Sequence, residues 1–283
     1  MTNRKTYRIM LEIEAFPGMP VTATKLLPLL ENADSSTSEI ESILKYDPGL
    51  TANILKLTNS AYFGIPTQVS SVKQAIILLG WKRLLQVVMT ICMSPLMQKT
   101  IPGYDMPRGE LWKHSIAVSV AAEILVKTLK IRDADEVFTA ALLHDVGKLI
   151  LGSFVKEDLE QIEAMVMKGI SFDVAESMVL GTNHAEIGGQ ILHKWSFPIE
   201  LVNAVQWHHD PESCEQSCTL SDIVHVANTI GLMTGYGKIE KGPAIEPIGP
   251  VADRLGLEAD DFEDISRQTA EGVEKLSGLW ELQ

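Results

Sequence analysis

Apolar residues along this chain recur at three- and four-residue spacings, and strict alternation is nearly absent, so the pattern predicts helices throughout. Start and stop signals place several of them. Val21 to Leu30 is helix-like, and Ser36-Thr37-Ser38-Glu39 is a capping box ahead of Ile40, Ile43 and Leu44. Asp47-Pro48 supplies an N-cap and a proline at the first helical position, opening a helix that carries Leu50, Ile54 and Leu57. Asn59 to Thr67 reads as a loop punctuated by Gly64 and Pro66. A second capping box, Ser71-Val72-Lys73-Gln74, starts a helix that stops at Gly80. From Trp81 to Met93 the pattern is apolar on nearly every face, which predicts a buried helix.

Ile101 to Pro107 (IPGYDMP) sets two prolines and a glycine between helical stretches and marks the best boundary. Beyond it the pattern predicts helices over Leu111–Leu129, Ala134–Gly152, Val155–Lys168, Phe172–Leu180, His184–Trp195, Pro198–His209 and Thr219–Met233. Gly231 to Pro250 holds five glycines and three prolines, which predicts a loop, and an amphipathic helix over about Asp261–Leu276 closes the chain. The expected fold is all-α, a two-part helical bundle divided into residues 1–104 and 105–283.

Charge narrows the function classes. Basic residues number 24 and acidic residues 37, a net of −13, which argues against broad nucleic-acid binding. Three cysteines cannot form a disulfide framework; Cys92, Cys214 and Cys218 read as thiols of a reducing compartment, and Cys214 and Cys218 lack a second pair to complete a zinc site. The N-terminus has no apolar signal stretch, and the longest uncharged run, Leu84 to Gln98, is short for a bilayer span and contains Pro95. A cytoplasmic protein without membrane or nucleic-acid partners is expected.

All seven histidines follow the boundary. In FTAALLHDVGKLIL a His-Asp pair, His144 and Asp145, interrupts a run that is otherwise core, and a buried carboxylate is costly unless paired or bound to a cation. Neutral imidazoles with a carboxylate suit a first-row divalent ion, and helices of a bundle can aim such ligands at one interior spot. The candidate ligands are His114, His144, Asp145, His184, one of His208 and His209, and Asn228 as an oxygen donor; Asp222 lies two turns before Asn228. Lys148 can share a face with His144 and Asp145, where it either neutralises Asp145 or holds a phosphate oxygen of a substrate. Gly147 permits close approach of a ligand or helix, whereas His193, beside Lys194, reads as a surface residue.

At these residues the chain resembles the HD superfamily of metal-dependent phosphohydrolases, with His114, HDVGK at 144–148, NHAEIG at His184, WHHDP at His208 and His209, and Asn228 at the position of the terminal aspartate. The segments YDPGLTANILKLTNSAYFG and SSVKQAIILLG make it more specifically similar to the HDOD domain, the HD-related output domain of bacterial signalling proteins, over roughly residues 14 to 215. That resemblance implies an all-helical output module with a signalling protein as partner and a divalent metal (Fe, Mn, Mg, Ni or Zn). Its alternative is a metal-dependent phosphohydrolase acting on a nucleotide or cyclic dinucleotide, with Asp145 and Lys148 as the catalytic pair and a phosphate-containing small molecule as ligand. The amide at Asn228 and the lack of a GYP segment after WHHDP tilt the expectation toward the module.

Overall fold

Ser36 and Glu39 exchange hydrogen bonds across a first helical turn, the Ser36 amide donating to Glu39 Oε2 at 2.7 Å and the Glu39 amide to Ser36 Oγ at 3.3 Å. The Gln74 amide donates to Ser71 Oγ at 3.2 Å, and the Leu50 amide to Asp47 Oδ1 at 2.9 Å. These local caps fix the starts of three helices where the sequence puts them.

The structure, a computed structural model, describes residues 4–31, 35–44, 47–132, 134, 136–214, 219–236 and 248–276. In chain order the helices are α1 (Arg4–Ala15), α2 (Val21–Glu31), α3 (Thr37–Leu44), α4 (Pro48–Thr58), α5 (Val72–Met97), α6 (Glu110–Thr128), α7 (Val137–Leu143), α8 (Lys148–Glu157), α9 (Leu159–Val166), α10 (Phe172–Leu180), α11 (His184–Lys194), α12 (Ile199–Gln206), α13 (Thr219–Met233), α14 (Gly249–Leu255) and α15 (Ala259–Lys275). Among the described residues no strand forms, and the one antiparallel bridge joins Ile101 to Met106. The fold is all-α. Cys218 and most of the predicted 231–250 loop lie outside the described residues.

The chain separates into two units, one of Gly18–Leu96 with the segment from Glu271, the other of Met1–Pro17 with Met97–Ala270. In the first, Ile40, Leu44, Leu50, Ile54 and Leu57 are buried. The loop after α4 is closed by Asn59, whose Oδ1 accepts from the Val69 amide at 2.7 Å while its Nδ2 donates to the Val69 carbonyl at 2.8 Å. One side chain thereby satisfies both backbone groups of a loop residue. In α5 the backbone at Gly80 takes φ 74° and ψ 171°, a conformation open to glycine, so the stretch is two helices meeting at a kink. Leu84, Val87, Val88, Met89 and Met93 of its second part are buried, as the apolar pattern predicts.

In the second unit, α6, α7 and α13 pack together, α12 covers α7 and α13, and α11 lies against α12 and α8. α1 packs on α8 and α11. Lys5 pairs with Asp158 at 2.5 Å, and Lys194 donates to the carbonyls of Ile13, Glu14 and Phe16 at 2.7–2.9 Å, capping the C-terminal end of α1. Trp195 Nε1 donates to Pro17 O at 3.1 Å. Lys194 is exposed yet ties two distant helices together.

Two predicted helices are interrupted. Ala134–Gly152 breaks between α7 and α8, where amides of Val146, Lys148 and Leu149 donate three residues back at 3.0–3.2 Å, a tighter winding than the α-helix. Val155–Lys168 breaks at Asp158, between α8 and α9. By length and composition Val72–Met97 and Val137–Glu157 are apolar enough to cross a membrane; in the second, 89% of the apolar window is buried inside the fold, so its composition is that of a core segment.

Candidate metal centre

The tight turn at His144–Gly147 decides the geometry, because it presents His144, Asp145 and the start of α8 to one spot. Gly147 makes the turn's close approach to α11 possible: a Cβ there would lie 1.9 Å from the His184 carbonyl oxygen. Asp145 is 1% exposed and sits among nitrogens. Its Oδ1 lies 3.3 Å from His184 Nε2 and 3.9 Å from His208 Nε2. Its Oδ2 lies 3.3 Å from His144 Nε2, 3.6 Å from His114 Nε2 and 3.0 Å from Lys148 Nζ. None of these approaches has hydrogen-bond geometry at the carboxylate, and His144 Nε2 and His208 Nε2 are likewise buried without a hydrogen-bond partner.

The far side of each ring is anchored. His114 Nδ1 lies 2.9 Å from Tyr236 O, His144 Nδ1 2.7 Å from Ala141 O, His208 Nδ1 2.7 Å from Val205 O, and His184 Nδ1 2.7 Å from Glu176 Oε2. Carbonyl and carboxylate oxygens can only accept, so each Nδ1 carries a proton and each ring turns its Nε2 toward Asp145. This is how metal-binding histidines are oriented. His184 Nε2 also meets His209 Nε2 at 2.7 Å, a pair in which one nitrogen must hold a proton that a cation would replace.

The electrostatics agree. Burial, helped by the neighbouring His144, lowers the His114 pKa to about 4, so this ring is neutral near pH 7. Burial followed by His209 drives His208 well below the usual histidine range. Burial would raise the carboxyl of Asp145, but His144 and Lys148 outweigh it and hold it ionised, well below the usual carboxylate range. A centred carboxylate ringed by imidazoles fits a divalent cation: Asp145, His184, His208 and His209 form one group whose ligand atoms lie within 4.8 Å of one another, and His114, His144 and Asp145 form another. The two groups share Asp145.

Every candidate of the sequence is thus accounted for. His114, His144, Asp145, His184, His208 and His209 come together, both members of the 208–209 pair included. Lys148 joins them through Asp145. Asn228 is buried, and its Oδ1 has no hydrogen-bond partner. Asp222 turns instead to Arg254, at 2.7 Å. His225 donates from Nδ1 to the His208 carbonyl at 2.7 Å, bracing the backbone behind that ring.

Two contributors were not foreseen. Glu176, fully buried on α10, accepts from the His184 amide at 2.9 Å as well as from its ring, and receives a hydrogen bond from Tyr104 Oη. Asp173, one turn earlier, is buried; burial would raise its carboxyl, but the His209 ring and the Ser171 hydroxyl keep it ionised below the usual range. Their only signal is two carboxylates three residues apart in FDVAESMVL, just ahead of NHAEIG, a pattern common to any exposed helix face. A cleft of about 510 Å³ reaches His209 and His225; Asp173, Glu186, Asp210 and Glu212 line it, and among the described residues no lysine or arginine does.

A buried imidazole–carboxylate centre in an all-helical fold defines a protein of the HD-like class. Residues 16–211 match the HDOD domain family model, and the chain belongs to that family. An uncharacterized protein of Treponema pallidum (strain Nichols) is 27% identical over 236 residues, 82% of this chain and 45% of that protein, so the chain spans about half the length of this curated relative. Among solved structures, an HDOD domain protein of unknown function from Geobacter sulfurreducens is similar with TM-score 0.79 and 24% identity, over 99% of this chain and 97% of that one. A protein from Shewanella amazonensis SB2B, named as a candidate phosphohydrolase, gives TM-score 0.73 and 24% identity over 95% and 97% of the two chains. A Marinobacter aquaeolei VT8 protein, named as a candidate signal transduction protein, gives 0.72 and 21% over 95% and 61%. These likenesses establish the shared fold.

Proposed function

We propose that this chain is a signalling output module of the cytoplasm that holds a divalent metal as an internal structural element and works by engaging a protein partner. The observation that carries the reading is the depth of the centre: His114, His144, Asp145, His184 and His208 are all at most 2% exposed, which suits a cation that holds helices together. An imidazole-rich donor set favours Fe, Zn or Ni over Mg. Binding there would join the α7–α8 turn, α11 and the turn after α12 through Asp145, His184, His208 and His209, and so couple ligation to folding. The reducing environment suits Cys92, a free thiol. The acidic net charge argues against nucleic acid as the partner.

A phosphohydrolase is the second reading, favoured by the two ligand groups meeting at Asp145 and by the adjoining Lys148. Such a metal would supply an activated water and a polarised phosphoryl oxygen. Lys148 would hold a phosphate oxygen as a point charge. The acid-lined cleft beside His209 opposes entry of a polyanionic ester by that route, which places the output module first.

Metal analysis of protein purified without chelator, followed by thermal unfolding with and without chelator, tests the module. It expects bound metal and a clear drop in Tm on its removal. A chain free of metal under repletion overturns both readings. Turnover of a chromogenic phosphodiester or a cyclic dinucleotide with Mn2+ or Fe2+, abolished in folded Asp145→Ala, would establish the enzyme instead.

A further inference from the structure

The two oxygens of Asp145 keep different company. On the Oδ1 side stand His184 and His208, which with His209 and Oδ1 itself give four protein donors; on the Oδ2 side stand His114, His144 and the Lys148 ammonium, nearest of all at 3.0 Å. The protein anchoring behind the rings differs in the same sense. The Oδ1 side is backed by the carboxylates Glu176, behind His184, and Asp173, beside His209, whereas His114 and His144 are backed by neutral carbonyls.

We infer that the centre holds one divalent ion, on the side of His184, His208 and His209, and that Lys148 takes the place of a second cation beside His114 and His144. The inference rests on the metal reading above and adds to it the count, the side and the residue that sets them.

Charge balance supports the assignment. Lys148 is buried, held between Asp145 and the face of the Tyr104 ring, whose centroid is 5.3 Å from Nζ. One divalent ion and this ammonium carry three positive charges, matched by the three carboxylates at the centre: Asp145 among the rings, Glu176 behind His184 and Asp173 beside His209. A second divalent ion would leave two positive charges unmatched in the interior and would stand against a like charge already bound to the shared carboxylate. With Lys148 gone, Asp145 Oδ2, His114 and His144 remain as three protein donors, the number with which a catalytic zinc-type site keeps an open position.

Mn2+ loading of the full chain tests this, with bound metal counted by elemental analysis after gel filtration and the coupling between ions read by electron paramagnetic resonance. One ion per chain is expected in the wild type and in Lys148→Arg, and two, with an exchange-coupled signal, in Lys148→Met. Two ions in the wild type, or one in folded Lys148→Met, would overturn the inference while leaving the metal reading intact. No ion in the wild type would overturn the metal reading itself. If Lys148→Met does not fold, Lys148→Gln carries the same expectation, and the wild-type count is a test in its own right.

Discussion

Gly147 touches the backbone of His184: built as alanine, its Cβ would stand 1.9 Å from the His184 carbonyl oxygen and 2.8 Å from the Gly188 amide nitrogen. The contact is backbone against backbone, so no rotamer change relieves it. Gly147→Ala must push α11, and His184 with it, away from Asp145. The expected result is a loss of roughly 3 kcal/mol in denaturant unfolding, at the upper end for overpacking, together with weaker metal binding. Gly49→Ala is the contrast, since its Cβ meets nothing closer than 3.8 Å; it is expected to be neutral or stabilising by about 0.5 kcal/mol.

Glu176 acts on a metal through His184. Glu176→Gln keeps an oxygen for the His184 amide and removes the charge that makes the ring a stronger donor. Metal affinity is expected to fall about 10–100-fold, the usual cost of altering a partner behind a ligand. Titration with a competing chelator measures it; unchanged affinity would show that the Glu176 charge does not reach the ion.

Acid should loosen the metal-free protein before it reaches the carboxylate range. The His114 ring stays neutral in the fold down to about 4, while in the unfolded chain it takes a proton near 6.5. Between those values the unfolded state binds more protons, so stability present above pH 6.5 is lost as pH falls toward 4. His114 alone accounts for roughly 3 kcal/mol of that loss at 1.36 kcal/mol per unit. Urea unfolding of chelator-treated protein at stepped pH checks the slope, and His114→Gln is expected to flatten it.

Lys194 closes the end of α1 with three donated hydrogen bonds. Lys194→Met is expected to cost about 1 kcal/mol and to raise amide exchange across residues 4–17 ahead of the rest of the chain. Uniform exchange throughout would mean that α1 is held by packing alone.

Much of this was legible in sequence where the cause is local. The Ser36–Glu39 box and the Asp47 cap need only neighbours three residues away and form as read, while at Ser71–Gln74 the Ser71 hydroxyl caps the Gln74 amide and the Gln74 side chain reaches back to the Ser70 amide instead. Histidines stood out because four of the helices carry one in an otherwise apolar context, and burial then draws His114, His144, His184 and His208 together. Glu176 did not stand out, since one carboxylate in an amphipathic helix looks like any solvated one until the fold brings Tyr104 to it from 72 residues away. The turn at 144–147 was hidden by the unbroken apolar pattern around it, which a tight winding satisfies as well as an α-helix does. Asn59 looked like ordinary loop punctuation, yet its amide holds both backbone groups of Val69.

The partners of α1 lie far along the chain, with Lys194 separated from Ile13 by 181 positions. At a synthesis rate of about 5–20 residues per second, that gap amounts to roughly ten to forty seconds. Through that interval the nascent polypeptide carries an amphipathic helix whose greasy stripe, Ile9 and Ile13, has nowhere to dock. Birth on the ribosome, more than equilibrium unfolding, is therefore where this protein is most exposed to aggregation and most in need of a chaperone's shelter.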